Sequence, residues 1–178
     1  MALVVNRVPV FGMILLPVGG ELYVTLQPDR AARAMLDVKS GSIFNDMAWT
    51  DIRARMPDQQ ALVVALSNSH PSSRLEKELA GKSIVGRVEA GSSLKFCRVA
   101  EGKADFYPRL GSISEWDIAA GHAILRAAGG DVTKLDGSQL LYGNCDAKYR
   151  TPAFVAWGGK VLSDQLHTTL LGMSLPSR

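Results

Sequence analysis

Cysteine is scarce in this chain, and its two copies, Cys97 and Cys145, stand in no metal-ligand spacing. That excludes a disulfide framework and a cysteine-rich zinc module, and a reducing cytoplasm is the expected setting. Long hydrophobic runs are lacking as well. A membrane helix needs about 20 consecutive apolar residues. The nearest approach, residues 2–17, is interrupted by Asn6, Arg7 and Pro9, with no basic leader in front of it. No strong excess of one charge exists: the net charge is +3, with Lys and Arg spread along the chain. This is too mild to argue for nucleic acid, yet it suits a small anionic ligand. The sequence holds no Ser-His-Asp set, no P-loop and no dinucleotide glycine pattern. It has no internal repeat, low-complexity tract or interdomain linker.

What is present describes one ordinary domain. A chain of 178 residues, 47% apolar and 21% charged, has the length and composition to bury a real core. Apolar runs at residues 3–5 and 10–16 read as strands, broken at Asn6-Arg7. Residues 17–20 (Pro-Val-Gly-Gly) separate the second run from another at 21–26, as in a hairpin. Residues 27–60 are mixed, punctuated by Pro28, Gly41, Ser42 and Pro57, and suggest a variable surface excursion. The short continuous run at 61–66 fits a strand buried on both faces. A loop over 67–71, a helix over 72–79, a strand over 82–88, a helix over 92–100 and a strand over 104–107 follow. The best helix spans 114–128, ahead of late strands at 131–133 and 153–157 and a closing helix at 162–171. This alternation predicts an α/β layered domain.

The segment from Gly91 to Gly130 carries the candidate chemistry. Asp117 lies at the mouth of a helix whose Ala119, Ala120 and Gly121 remove bulk, so that another backbone or a ligand can come close. Ser114-x-x-Asp117 resembles a capping box, and spacing alone favours that role. The functional alternative is a carboxylate ligand to a hard divalent cation. Gly91-Ser92-Ser93-Leu94-Lys95 places two hydroxyls and an ammonium at a helix start, as a phosphate cradle would, although an N-cap with a surface lysine reads the same way. Arg109 closes a strand, where a guanidinium can grip phosphate with two donors. Ser69 and His70 follow the buried strand, at the strand end where α/β ligands gather. Cys97 reads as core, and His122 and His167 receive no role.

These residues resemble a known family. The run G-S-S-L-K-F-C-x-V-A-E-G-x-A-D-x-Y-P-R, followed by W-D-x-A-A-G-H and A-G-G, is similar to the inositol-monophosphatase superfamily, and within it to the CysQ-type 3'(2'),5'-bisphosphate nucleotidases. Pro9 to Ile14, with Pro17 and Tyr23, resembles that family's hairpin. Ser67-Asn68-Ser69-His70 resembles its S-R-S-H segment, while residues 27–60 match poorly. The resemblance implies an α/β fold, namely the C-terminal portion of a layered α-β-α-β-α sandwich. It also implies Mg²⁺ dependence, inhibition by Li⁺, and removal of the 3'-phosphate of adenosine 3',5'-bisphosphate to give AMP. By motif match, Asp117 would be a metal ligand, and Ser69, His70, Ser92, Ser93, Lys95 and Arg109 would face the nucleotide or its phosphate. The implied location is cytoplasmic, or peripheral at the inner membrane.

One departure stands out. The family's E-E-x-D-type glutamate and D-P-[IL]-D-G-T motif do not occur in this sequence, and Leu135-Asp136-Gly137-Ser138 reads as a late turn that merely carries D-G. The expectation is therefore a C-terminal region, residues 1–26 being a remnant of the first sheet and 61–178 the later layers. Its missing N-terminal half would carry the other metal ligands. Weak activity or none follows, because Mg²⁺ binds poorly unless several ligands converge. Other readings are a catalytically dead adenosine-phosphate-binding module, an inositol-monophosphatase-type activity, and a partner completing a separate N-terminal chain. An exposed apolar sheet edge would favour self-association.

Overall fold

The computed structural model describes residues 1–36, 47–67 and 73–159, the side chain of Glu78 excepted. Ser69, His70 and the closing helix expected over 162–171 lie outside the described residues.

Five antiparallel strands open the chain: β1 (Ala2–Val5), β2 (Val8–Leu16), β3 (Glu21–Gln27), β4 (Arg30–Met35) and β5 (Thr50–Ile52), neighbours in sequence being neighbours in the sheet. The break at Asn6-Arg7 is a tight turn with both residues in the left-handed region, φ 49° and 66°. This matches the twist that a two-residue hairpin demands. The hairpin read around residues 17–20 is present, with Leu16 opposite Glu21 and Met13 opposite Val24.

The expectation for residues 27–60 needs correction, because β4 and β5 lie inside that stretch. The Arg-Ala-Ala-Arg-Ala-Met sequence of β4 carries no strand signature of its own. It is a strand because its backbone pairs with β3 while Ala31 is buried in the core against the helices and Ala32 and Ala34 are buried on the other face of the sheet.

A second, mixed sheet has the order β10-β12-β8-β6-β7, formed by β6 (Leu62–Leu66), β7 (Ile84–Glu89), β8 (Phe106–Arg109), β10 (Asp131–Lys134) and β12 (Phe154–Trp157). β6 runs parallel to both β7 and β8, and its apolar run is explained by contact on both faces. Side chains alternate strictly. Phe106, Val155 and Trp157 join Leu62, Val64 and Leu79 on one face; Tyr107, Phe154 and Ala156 join Ala65 and Phe96 on the other. A two-stranded ribbon pairs β9 (Ile113–Ser114) with β11 (Arg150–Thr151).

Helices α2 (Leu94–Ala100) and α3 (Ala119–Ala127) fill the space between the two five-stranded sheets, and α1 (Ser73–Leu79) covers the far face of the second. The order sheet, helices, sheet, helix is the layered α/β architecture expected. The small residues of α3 serve protein packing. A Cβ at Gly12 of β2 would overlap the carbonyl oxygen of Ala120, and one at Gly121 would stand 2.6 Å from the Phe96 ring. Cys97 is fully buried, as read.

The single helix expected over 114–128 is also corrected. Ser114 belongs to β9, Glu115–Asp117 form one 3-10 turn, and α3 starts only at Ala119. The residues at the break are engaged elsewhere. The Ser114 hydroxyl accepts from Arg150 at 3.1 Å and caps nothing, so the capping box does not form. The buried Glu115 carboxylate accepts from the backbone N–H groups of Gly143 (2.7 Å) and Asn144 (3.0 Å). The turn read at residues 135–138 is present, with Gly137 at φ 78°.

Candidate functional site

Ser92, Ser93, Lys95, Arg109 and Asp117 come together around the start of α2. Ser92 adopts φ 41°, a strained left-handed conformation for a residue with a side chain. It swings Gly91–Leu94 across from the β2–β3 turn. Between these two walls lies a cleft of about 480 Å³, bordered by Ile14, Pro17, Val18, Ser92, Ser93 and Leu94. The Ser93 hydroxyl donates to the carbonyl oxygen of Asp117 at 2.8 Å, which ties the mouth of α2 to the 3-10 turn. The Asp117 carboxylate is left exposed.

Lys95 is not the surface lysine that its short motif equally suggested: it is 2% exposed. Its ammonium donates to the carbonyl of Ala90 at 3.2 Å and stands 5.0 Å from the centre of the Tyr107 ring. Burial, with a smaller contribution from the positive charge of Arg109, pulls its pKa down to about 8. Arg109, at the end of β8, is half-buried, and its Nε is enclosed without a hydrogen-bond acceptor. Burial raises the pKa of the Tyr107 hydroxyl, and Arg109 opposes that shift. Among the described residues no carboxylate pairs with Lys95 or Arg109. Two neighbouring cations, one desolvated and one holding an unused buried donor, form an arrangement that an incoming anion would complete.

The same surroundings do not form a magnesium site. Among the described residues no three His, Cys, Asp or Glu side chains converge, and Asp117 supplies a single carboxylate. Mg²⁺ keeps most of its waters and needs an octahedral set of oxygens. The described donors do not fit that demand.

His122 is not part of this cluster. It is buried, with Nδ1 2.9 Å from the Tyr142 hydroxyl and Nε2 3.7 Å from Asp131, and burial holds its pKa low. Sequence reasoning passed over Tyr107, whose ring faces Lys95, and Glu115, whose carboxylate anchors the loop beside Asp117. The alternation along β8 could have indicated Tyr107 as an inward residue. Glu115 resembles any acid near a helix start, and nothing in its spacing shows that it is buried. A polar seam was missed too. Arg98 of α2 donates to Glu21 at 3.1 Å, to the Tyr23 hydroxyl at 2.8 Å and to Glu101, joining the first sheet to α2.

Comparison with known proteins gives a consistent answer. The chain is 35% identical over 147 residues to the 3'(2'),5'-bisphosphate nucleotidase CysQ of Buchnera aphidicola, covering 79% of this chain and 49% of that enzyme. It is 51% identical over 86 residues to an uncharacterized protein from Rhizobium leguminosarum, covering 46% of this chain and 90% of that one. The crystal structure of CysQ from Bacteroides thetaiotaomicron, a bacterial member of the inositol monophosphatase family, superposes with a TM-score of 0.72 at 33% identity, over 89% of this chain and 61% of that one. The chain thus spans about half the length of the CysQ relative it matches. Enzymes of that family are generally metal-dependent. Among the described residues no helix is long and apolar enough to cross a membrane. With the family's sequence pattern matching residues 1–169, this chain belongs to the inositol monophosphatase family.

Proposed function

We propose that this chain is the phosphate-gripping part of a phosphatase acting on adenosine 3',5'-bisphosphate, and that by itself it binds the nucleotide without efficient turnover. The observation that carries this reading is the Lys95–Arg109 pair, two adjacent cations without a carboxylate among the described residues. Lys95 acts as a desolvated point charge, and Arg109 offers its free Nε donor. Ser92 forms the wall of the adjoining cleft, while Ser93 positions Asp117 through its backbone. Ser69 and His70, outside the described residues, are assigned to the same ligand by their likeness to the family's S-R-S-H segment. Asp117 gives one carboxylate to a magnesium set that this sequence does not complete. Phosphoryl transfer at such a centre needs metal to neutralise charge and to activate water. The CysQ names of its relatives support the nucleotide over other phosphate esters.

The test is phosphate release from adenosine 3',5'-bisphosphate by the purified chain, with Mg²⁺ and with EDTA, beside calorimetric binding of the same nucleotide. Binding that is lost in Lys95→Met, with negligible release in both buffers, is expected. Brisk Mg²⁺-dependent release that disappears in Asp117→Asn would show that one chain builds the whole centre. Absence of nucleotide binding would sink the reading.

A second reading has its own observation. All four residues of β1 are exposed at the edge of the first sheet, with Leu3 at 55% and Val5 at 46%. An apolar edge that no strand pairs among the described residues is a template for another strand. It favours assembly with a polypeptide carrying the acidic motifs, which mixing the two chains and assaying phosphatase activity would test.

A further inference from the structure

Beside Asp117 stand two large aromatic side chains that the core does not use. Trp116 is 68% exposed and Tyr149 is 45% exposed, with ring centres 6.2 Å apart and planes tilted by 49°. Exposed Trp is uncommon, because its large apolar surface is normally covered. Here the exposure is held in place by the surrounding backbone. Lys148 and Tyr149 both adopt left-handed conformations, φ 51° and 55°, a strain that persists only where neighbouring structure imposes it. That structure is visible. The Glu115 N–H donates to the carbonyl of Tyr149 at 2.8 Å, and the Glu115 carboxylate holds Gly143 and Asn144. The Tyr149 N–H donates to the carbonyl of Asn144 at 2.9 Å, and Lys148 N–H to that of Cys145 at 2.8 Å. Arg150 then locks onto Ser112 and Ser114. Trp116 is therefore presented to solvent by the same 3-10 turn that carries Asp117, and Tyr149 by a loop tied to that turn.

Aromatic surface whose backbone is ordered before a ligand arrives suits a planar heteroaromatic partner, which can stack on one ring while the other, tilted by 49°, meets its edge. Exposed charges of both signs flank the rings, Asp117 and Asp146 with Lys148, so the platform itself selects for an aromatic face rather than for charge. We propose that Trp116 and Tyr149 form a stacking platform for the purine base of a nucleoside phosphate, a specificity element separate from the cations that hold its phosphate. The inference extends the nucleotide reading above, and it accounts for a base being recognised at all, since Lys95 and Arg109 distinguish only charge.

Adenosine, which carries no phosphate, tests the platform apart from the anion site, and inorganic phosphate tests the anion site apart from the platform. Of the three tryptophans, Trp157 is buried and Trp49 is half-buried, so Trp116 dominates the exposed emission. Adenosine should quench that emission, and Trp116→Phe should abolish the quench while keeping most of the binding. Trp116→Ala and Tyr149→Ala should each weaken adenosine and adenosine 3',5'-bisphosphate about 5- to 10-fold, the scale of one base–aromatic stack. Inorganic phosphate binding should not change in either variant. Equal nucleotide affinity in wild type and Trp116→Ala, with Lys95→Met still impairing it, would overturn the platform and leave the phosphate reading standing. Trp116-dependent adenosine binding, with adenosine 3',5'-bisphosphate and inorganic phosphate both bound equally by wild type and Lys95→Met, would uphold the platform and remove the phosphate reading. A chain that binds neither adenosine nor its bisphosphate overturns both.

Discussion

The seam between β2 and helices α2 and α3 contrasts sharply with the outer edge of the same sheet. In the seam, Gly12 meets Ala120 backbone to backbone, Gly121 admits the Phe96 ring, and Lys95 is carried into the interior. One strand further out, β1 repeats the apolar chemistry of β2 yet exposes every side chain. Both strands are rich in Val and Leu. What separates them is the depth of cover: β2 lies between β1 and β3 with α3 packed closely beneath it, whereas β1, among the described residues, has a strand on one side only and meets α3 less extensively. Hydrophobic sequence supplies a driving force for burial, and topology decides where that force is satisfied.

The seam should be far less tolerant than the edge. Gly12→Ala should lose about 3 kcal/mol of stability or fail to fold, because the neighbour its Cβ strikes is backbone and cannot rotate away. Urea denaturation measures this, and a midpoint equal to wild type would mean that the close approach is not present in solution.

A titration sharpens the comparison within the seam. The Lys95 pKa falls from 10.5 to about 8 on folding, so the unfolded chain binds more protons between those values. Stability should therefore rise with pH across that interval. Anion binding should do the opposite, weakening as pH climbs through about 8 and the ammonium discharges. Sulfate, whose charge is constant there, is the suitable probe. In Lys95→Met both slopes should disappear, and a sulfate affinity that stays level from pH 7 to 9.5 in wild type would contradict a role for the buried ammonium.

The smallest change in stability belongs to the edge. Leu3→Lys should alter the unfolding free energy by less than about 0.5 kcal/mol, as surface substitutions do, while shifting the chain towards monomer in sedimentation velocity. Unchanged self-association in Leu3→Lys, or a monomeric wild type, would show that β1 is not a pairing edge.

Parts of this arrangement were legible in advance. The β2–β3 hairpin was readable because Pro17 to Gly20 separate two apolar runs, and β6 because a continuous apolar run of that length suits a strand covered on both faces. β4 was not readable, since Ala and Arg express no strand preference until β3 offers its ladder. The spacing from Ser114 to Asp117 was correct for a cap, and the prediction failed because Arg150, 36 residues later, recruits the hydroxyl. The likeness to a phosphatase family rested on residues 91–130, and family membership followed.

By itself the sequence determined which residue types stand near one another along the chain: the hydroxyls and cation of residues 92–95, the acid after Trp116, and the small residues that allow close packing. Tertiary structure decided their electrostatic character. Lys95 is an interior cation with a lowered pKa because the fold buries it and β8 brings the positive charge of Arg109 near it. Trp116 is an open aromatic face because Glu115 turns inward to hold a distant loop. Charge state and exposure depend on the dielectric and the neighbours around a group, and those neighbours are set by contacts between residues far apart in the chain.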